Sequence, residues 1–391
     1  MPGGASRPAS PEAIPSYGHP ERRRPEPVAA PGRGTGDGAT VQDDDLSGEE
    51  GETGDAVRDP RRIRVTRRGV IIGGLALVGV GAGALLVRQL RRAGGPVGAW
   101  GPLRPIPAPT APPVRSPAIE SPGLDTAMTI WAHADDDIIF ANPELSDAIA
   151  AGTCVRAVYV TAGDAGKGLE YAREREDGIR AAYDHMRGSA GEWDERELLL
   201  ASGARVTRFV PTDEPRLSIT VLRLPDGGLD GKGFPATGKA GLTQLINGDV
   251  GELSPIDGGP AYDLPRLTAT LAELVSAAQP RRISTNVPHE SAFAHGDHPD
   301  HSCVGSLVRA SAPVVGIAPA QMSYYLGYPS KDQPVNVVGE ELDAKVEVYR
   351  TYAADDPVVR CAEASTCLSQ PGFGDWLRRT YPKSEAELRL S

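Results

Sequence analysis

From about residue 124 the sequence alternates between short apolar segments and longer amphipathic ones, and this alternation constrains the fold more than any other feature. The apolar segments predict strands at 128–132, 154–163, 218–224 and 281–287, and the amphipathic segments predict helices at 137–151, 169–186 and 264–280. Strands that alternate with helices of this length are typical of βαβ units. We therefore expect an α/β fold with a Rossmann-like, mostly parallel sheet and helices on both faces.

Residues 1–60 consist mainly of Pro, Gly, Arg, Ser and acidic residues, with almost no aliphatic side chains. Such a segment cannot bury enough apolar surface to offset its ordering entropy, so we expect a disordered tail. The whole chain has a net charge of -11, and its largest cluster of Arg residues lies within 61–92. Because binding to phosphate backbones requires clustered Lys and Arg, we expect no nucleic-acid partner.

That cluster of arginines brackets an uncharged apolar run at 69–87. As a helix, at about 1.5 Å per residue, this run spans roughly the 30 Å hydrocarbon layer of a membrane, so 61–92 is predicted to be a single-pass anchor. More arginines precede the run than follow it, which predicts a cytoplasmic N-terminus and an extracytoplasmic C-terminal part. Arg67 and Arg68 also resemble a twin-arginine export signal, so cleavage and secretion remain an alternative.

Residues 93–123 are rich in proline and predict an extended, semi-rigid linker. This linker is expected to hold the following domain, 124–391, away from the membrane. The segment at 225–263 contains many Gly and Pro residues and is predicted to be a long loop or insertion.

All four cysteines lie in the predicted domain, as Cys154, Cys303, Cys361 and Cys367. An even number of cysteines beyond a membrane segment suggests disulfides in an oxidising compartment. Cys361 and Cys367 are close enough in sequence to close a small loop. A buried free thiol explains Cys154 equally well.

A histidine and three consecutive carboxylates follow the first predicted strand, in the order His133, Asp135, Asp136 and Asp137. Adjacent carboxylates repel one another, so a folded protein tolerates three of them only in water, at a helix start or beside a cation. Ligands of parallel sheets bind at the carboxyl ends of strands, which is where these residues fall. Asp is also favoured at helix N-termini, and we assign that capping role to Asp137.

A second polar segment, 287–305, follows a later predicted strand and contains four of the seven histidines: His289, His295, His298 and His301. His298 and His301 are one helical turn apart, so both can face one point, and imidazole is a common ligand of zinc. Alone, the cluster is explained equally well by solvated loop histidines. Together with the first motif it predicts a catalytic zinc site on His133, Asp136 and His301, with one position open for water.

The motifs AHADDD (132–137) and HPDH (298–301) resemble the LmbE-like, or PIG-L, deacetylase family. These zinc-dependent enzymes remove an acyl group, usually acetyl, from the amine of a glucosamine-type sugar. The resemblance covers most of 126–352, including YVTAGDAG (159–166), an Arg-x-x-Glu sequence at Arg173, and LPDGGL (224–229).

The resemblance implies a role for each residue that matches a family motif. His133, Asp136 and His301 hold zinc, Asp135 is the general base, His298 stabilises or protonates the developing oxyanion, and Asp300 orients His298. The chain departs from the family pattern at Ala134, usually proline, and at Asp137, usually glutamate. Some members also place an aromatic residue where this chain has Gly296, a role that His295 is a candidate to fill.

Two further residues have open interpretations. Arg173 is predicted to contact the substrate, although a surface arginine paired with Glu176 fits equally well. Asp226, in LPDGG, is interpreted as a turn aspartate.

The sequence therefore predicts a membrane-tethered, extracytoplasmic zinc hydrolase that removes the N-acetyl group of an N-acetylglucosamine-type sugar or glycoconjugate. Other divalent ions accept the same ligands. One alternative is an amidase of the same family that cleaves a bulkier sugar-linked amide. The other is an inactive cell-surface module that binds glycans.

Overall fold

The structure, a computed structural model, describes residues 101–110, 125–357 and 359–390. The predicted tail (1–60) and anchor (61–92) lie outside these residues, as does all of the linker 93–123 except 101–110. None of the helices in the described part of the chain has the length and apolarity that a membrane crossing requires.

The described chain forms one mixed α/β arrangement. Its strands are β1 (Thr126–Trp131), β2 (Cys154–Thr161), β3 (Trp193–Leu199), β4 (Arg205–Pro211), β5 (Leu217–Leu224), β6 (Arg282–Asn286), β7 (Met322–Tyr325) and β8 (Pro382–Lys383). Its helices are α1 (Asp136–Phe140), α2 (Glu144–Ala150), α3 (Leu169–Arg187), α4 (Leu242–Asn247), α5 (Leu264–Ala278), α6 (Pro299–Ser311), α7 (Gly339–Ala353), α8 (Ala364–Ser369) and α9 (Phe373–Leu377).

The strands form a single sheet in the order β3-β4-β5-β2-β1-β6-β7-β8. The five central strands, β5 to β7 in this order, are parallel, whereas β4 and β8 pair antiparallel with their neighbours. β1 lies in the middle, where Ile130 is opposite Val158 on β2 and Thr285 on β6. The prediction of an α/β fold with a mostly parallel sheet is confirmed.

Helices cover both faces of this sheet, because its central strands are apolar on both sides. All eight residues of β2 are buried. On β1, Met128 and Ile130 pack in a core with α4, α5 and α6. Trp131 packs in a second core with α1, α2, α3 and the helices α7 to α9.

The structure corrects the prediction of one helix over 137–151. Two short helices, α1 and α2, are separated at Asn142 and Pro143. Proline has no backbone N–H to continue a helix, and it disfavours helical backbone at the preceding residue. The Asn142 side chain instead accepts a hydrogen bond from the backbone N–H of Ser146 at 3.0 Å, which satisfies a donor at the start of α2.

The predicted loop at 225–263 also contains regular structure, namely α4 and a 3₁₀ turn at Pro235–Thr237. The antiparallel strands β3 and β4 and all the elements after α6 were not predicted. β3 has the sequence WDERELL and is mostly exposed, so it lacks the apolar run that identified the central strands.

The described part of the predicted linker lies against the domain instead of extending from it. The backbone N–H of Leu103 donates to His289 Nε2 at 3.2 Å, and that of Arg104 donates to Asn247 Oδ1 at 3.1 Å. Leu103 and Ile106 pack against the core on the α4 side of the sheet. These two apolar side chains explain why 101–110 packs onto the surface despite its proline content.

A disulfide joins Cys361 and Cys367, which confirms the small loop that their spacing suggested. Cys154 and Cys303 are buried free thiols.

Candidate active site

The two motifs meet because they follow neighbouring parallel strands. β1 ends at Trp131 and the adjacent β6 ends at Asn286, so the segments after them emerge at the same edge of the sheet. This topology brings His133 next to His301 although 168 residues separate them in the sequence.

The three predicted metal ligands are in mutual contact. His133 Nδ1 lies 3.3 Å from His301 Nε2, His301 Nε2 lies 3.0 Å from Asp136 Oδ1, and His133 Nδ1 lies 3.6 Å from Asp136 Oδ2. In tetrahedral zinc sites, bond lengths of about 2.0–2.2 Å place ligand atoms roughly 3.3–3.6 Å apart. The spacing and the chemistry of these donors therefore fit a divalent metal ion, although their roles as ligands stay a prediction.

Local structure fixes each of these side chains. The backbone N–H of His133 donates to Asp136 Oδ2 at 2.9 Å, which closes the turn between them. His301 lies in the first turn of α6, and its Nδ1 is 2.8 Å from Asp297 Oδ1. A carboxylate at Nδ1 fixes the ring orientation and leaves Nε2 available toward a metal. The sequence analysis missed Asp297, although an acidic residue four positions before a ligand histidine could have indicated it.

The electrostatics of the site favour a cation. Burial lowers the pKa of His301, but Asp136 and Asp297 outweigh burial and raise it to about 10. Burial also lowers the pKa of His133, yet Asp136 and Asp300 raise it well above its usual value. Carboxylates thus outnumber compensating positive groups around the two imidazoles.

His298 differs from its two neighbours because its pKa is lowered, to about 4, by burial and by His133. It caps the start of α6, where its Nδ1 accepts a hydrogen bond from the backbone N–H of Asp300 at 3.1 Å. A neutral ring whose Nδ1 accepts a hydrogen bond carries its proton on Nε2. His298 is therefore a hydrogen-bond donor through Nε2.

The carboxylate of Asp300 is held mainly by residues other than His298. Its Oδ2 accepts from the backbone N–H of Gly227 at 2.8 Å and lies 3.5 Å from His133 Nε2. The same Oδ2 is 4.0 Å from His298 Nδ1. The structure thus brings Asp300 into the site, where its backbone N–H, rather than its carboxylate, holds His298.

Asp226 joins the site, and sequence reasoning had not placed it there. Its Oδ1 accepts from the backbone N–H of Gly228 at 2.7 Å, as expected of a turn aspartate. It also lies in a group with His133, His298 and Asp300 whose potential ligand atoms are all within 4.8 Å of one another. His133, His298 and His301 form an overlapping group of the same kind.

Two buried atoms in these groups are unsatisfied. His133 Nε2 and Asp300 Oδ1 have no hydrogen-bond partner within the described part of the chain. Such orphaned atoms are rare in native proteins and are often explained by an ion or water.

Neither Asp135 nor Asp136 belongs to these two groups, but Asp136 contacts His133 and His301 whereas Asp135 is held by an arginine. Arg175 Nη2 donates to Asp135 Oδ1 at 2.6 Å, while its Nη1 donates to the carbonyl oxygen of Gly163 at 2.8 Å and its Nε donates to the Tyr352 hydroxyl at 2.8 Å. A Cβ on Gly163 would lie 2.1 Å from Arg175 Nη1, and its φ is 56°, so this approach requires glycine. Burial raises the pKa of Asp135, and Arg175 partly offsets the effect.

The structure distinguishes Arg175 from Arg173. Arg173, the predicted substrate contact, is exposed on α3, whereas Arg175 is buried against the site. The substrate role of Arg173 stays a prediction. Arg173 and Arg175 are two residues apart in the sequence, and only the orientation of α3 determines which of them faces the site.

The helix-start role assigned to Asp137 is confirmed in part. Asp137 lies in the first turn of α1, where its Oδ1 accepts from the backbone N–H of Ile138 at 2.8 Å, but Asp135 occupies the N-cap position and makes no side-chain capping hydrogen bond. Asp137 is fully buried, and its Oδ2 accepts from the hydroxyls of Tyr159 and Tyr183, each at 2.7 Å. Burial raises its pKa to about 7. Hydroxyl donors from β2 and α3 explain how a third carboxylate fits below the site.

Tyr328 supplies an aromatic ring at the site, where Gly296 cannot. Its ring centroid lies 5.2 Å from that of His301 and 6.0 Å from that of His298, and its ring stacks on Trp376 at 4.2 Å. His295 is exposed and does not join the site. Tyr328 follows β7, a strand that was not predicted, so no sequence motif pointed to it.

The fold and the site define an α/β protein with a candidate metal centre at the carboxyl edge of a parallel sheet. Residues 128–312 match the family model described as PIG-L: GlcNAc-PI de-N-acetylase. Over these residues, a little under half of the chain, the sequence is thus similar to the PIG-L family. No curated protein sequence matches the chain significantly.

Several solved structures are similar at low identity. A conserved protein from Thermus thermophilus is 18% identical, with a TM-score of 0.36, over 67% of this chain and 93% of that chain. An N,N'-diacetylchitobiose deacetylase from Pyrococcus horikoshii is 15% identical, with a TM-score of 0.35, over 67% and 83%. The zinc-inhibited form of a teicoplanin deacetylase is 16% identical, with a TM-score of 0.33, over 58% and 83%. These likenesses are too weak to carry a statement about this chain.

Proposed function

We propose that the chain is a zinc-dependent hydrolase that removes the N-acetyl group of an N-acetylglucosamine-type sugar or glycoconjugate. The observation that carries this proposal is the mutual contact of His133, Asp136 and His301, with Asp135 beside them and outside the group. Three ligands with an adjacent, separately held carboxylate are what a metal-assisted hydrolysis requires.

His133, Asp136 and His301 would hold the ion, and His298, Asp226 and Asp300 border it. A zinc ion in such a site supplies Lewis acidity, which polarises a carbonyl group and makes water a nucleophile near neutral pH.

The chain's own groups then move the protons. Asp135, which is fixed by Arg175, accepts a proton from the attacking water while the water oxygen bonds to the acetamide carbon. The Nε2–H of His298 donates to the oxyanion that develops on the carbonyl oxygen. As the C–N bond breaks, Asp135 returns its proton to the nitrogen, so that one water and one amide give one acetate and one amine.

We also propose that the catalytic domain lies outside the cytoplasm, tethered by 69–87 or secreted after cleavage of that segment. Two features support this location: the excess of arginines before the apolar run, and the disulfide between Cys361 and Cys367. Disulfides persist mainly in oxidising compartments.

The proposal is tested with the detergent-solubilised full chain, by measuring bound metal and acetate release from N-acetylglucosamine glycosides. We expect about one zinc per chain, and we expect His301→Ala to lose both the metal and the activity. His295→Ala is the matched control, because His295 is an exposed histidine of the same segment and should keep both. Full metal occupancy in His301→Ala, or no acetate from any of the glycosides, would contradict the proposal.

A further inference from the structure

A network of buried polar side chains extends from the candidate active site to the C-terminal part of the chain. Asp135 and Arg175 form its near end, and Tyr352 and Asp356 form its far end. All four side chains are buried, so water competes little with their contacts. No sequence motif pointed to either residue of the far end.

Arg175 joins the two ends because each of its three side-chain nitrogens has a different partner. Nη2 donates to Asp135 Oδ1 at 2.6 Å, Nη1 donates to the carbonyl oxygen of Gly163 at 2.8 Å, and Nε donates to the Tyr352 hydroxyl at 2.8 Å. Nε also lies 3.2 Å from Asp356 Oδ2. Because a guanidinium group is planar and rigid, the partners at Nε determine where Nη2 points.

Asp356 is itself held by two donors. The Tyr352 hydroxyl donates to its Oδ2 at 2.5 Å, and the backbone N–H of Val359 donates to its Oδ1 at 3.3 Å. The buried disulfide between Cys361 and Cys367 closes the loop that follows. These contacts leave the Asp356 carboxylate few other positions.

A glycine lets the helix that carries Tyr352 approach Arg175. Gly178 lies about one turn after Arg175 on α3, so both residues face α7. A Cβ on Gly178 would lie only 2.6 Å from the carbonyl oxygen of Tyr352, so a larger residue would push α7 away. The close contact between α3 and α7 therefore places the Tyr352 hydroxyl within reach of Arg175.

The sharing of Arg175 determines how Asp135 is bound. An arginine and a carboxylate frequently pair through two nitrogens and both carboxylate oxygens. Here Tyr352 and Asp356 occupy Nε, so Asp135 accepts from Nη2 through Oδ1. The other oxygen of Asp135 is left out of this pairing. Without Asp356, Nε is free to pair with that oxygen, and both oxygens of the proposed base are then engaged.

We propose that Asp356 is a positioning residue of the reaction. By holding Arg175 Nε, it keeps Oδ2 of Asp135 available to accept the proton of the attacking water. Asp356 acts only through Arg175 and does not touch the reacting groups. This assignment rests on the proposed function, since it takes Asp135 as the general base.

The test measures kcat and KM for acetate release, together with zinc content, in the full chain that carries Asp356→Asn. This replacement removes the charge but keeps the shape of the side chain. We expect kcat to fall about tenfold, because a displaced catalytic group has effects of this size, while KM and zinc content stay within about twofold of the parent values. Asp355→Asn is the matched control, since Asp355 is the adjacent aspartate and is exposed, so its replacement should keep kcat.

A double variant shows whether Asp356 acts through Arg175. If it does, Arg175→Lys combined with Asp356→Asn should be slower than Arg175→Lys alone by no more than about twofold, because coupled residues have non-additive effects. A purely structural role would instead lower kcat by the product of the two single losses. An unchanged kcat in Asp356→Asn, an equal loss in Asp355→Asn, or multiplied losses in the double variant would overturn the assignment.

Crystal structures separate this assignment from the proposed function, because they need no turnover. In the parent we expect Asp135 to bind only Nη2 of Arg175, and in Asp356→Asn we expect it to bind both Nε and Nη2. That change in a chain that releases no acetate supports the role of Asp356 in holding Arg175 and refutes only the proposed function. If Asp356→Asn does not fold, Asp356→Ser takes its place, since serine still offers an oxygen to the N–H of Val359. An Asp135 that binds both nitrogens in the parent, or an Arg175 that keeps its position in the variant, would overturn the assignment.

Discussion

The side chain of Asp135, the proposed general base, is held by one arginine. Arg175 contacts Asp135, Asp356 and the carbonyl oxygen of Gly163, and it does so through a planar group with donors in fixed directions. A lysine at this position keeps the charge but supplies one flexible ammonium. We expect this replacement to disturb the orientation of the Asp135 carboxylate more than it changes the charge around it.

We therefore expect Arg175→Lys to lower kcat for acetate release about 10- to 100-fold, because small displacements of a catalytic group have effects of this size. Arg173→Gln, on the exposed face of the same helix, should change kcat by less than about twofold. Circular dichroism checks that both variants fold. A large loss in Arg173→Gln with a normal Arg175→Lys would contradict this expectation and favour the predicted substrate role of Arg173.

At the residue level, the sequence identified the groups that lie directly after β1 and β6. The two motifs follow neighbouring strands, and this brings together His133, Asp135, Asp136, His298 and His301. Arg175, Asp297 and Tyr328 were missed for different physical reasons. The position of Arg175 depends on the rotation of α3. Asp297 makes a short-range contact within one segment, and Tyr328 follows a strand that is only four residues long.

At the level of elements, strands buried on both faces were predictable because they form continuous apolar runs. β2 is the clearest case, whereas the exposed β3 carries four charged residues, Asp194, Glu195, Arg196 and Glu197, and gave no such signal. Pro143 indicates a break between α1 and α2, but the helical pattern of apolar residues on both sides of it led to the prediction of one helix. The insertion between β5 and α5 was recognised only as a long loop, because its path is fixed by distant partners such as Arg223 and Asp257.

For the whole molecule, the predicted anchor implies that the N-terminus and the domain lie on opposite sides of a membrane, and this topology can be measured. If the N-terminus is cytoplasmic and the domain is outside, protease added to intact cells should remove the domain and spare a tag at the N-terminus. Immunoblotting with antibodies to the tag and to the domain distinguishes the two ends. Digestion of the tag with survival of the domain would show the opposite orientation.

We propose that Asp135 and Asp136, although adjacent, have different roles. Asp136 contacts both His133 and His301, whereas Asp135 contacts Arg175. If Asp135 is the base, Asp135→Asn should keep its zinc, because the amide is nearly isosteric and all three ligands remain. Its turnover should nevertheless fall by about two to four orders of magnitude, the usual contribution of a general base.

The most direct measurement is therefore zinc content and acetate release, determined together for the two adjacent variants. Asp136→Asn should lose both, because an uncharged amide is a poor ligand for zinc. We expect a zinc-loaded, nearly inactive Asp135→Asn beside a zinc-depleted, inactive Asp136→Asn. Acetate release by Asp135→Asn at the parent rate, or equal loss of zinc in both variants, would contradict it.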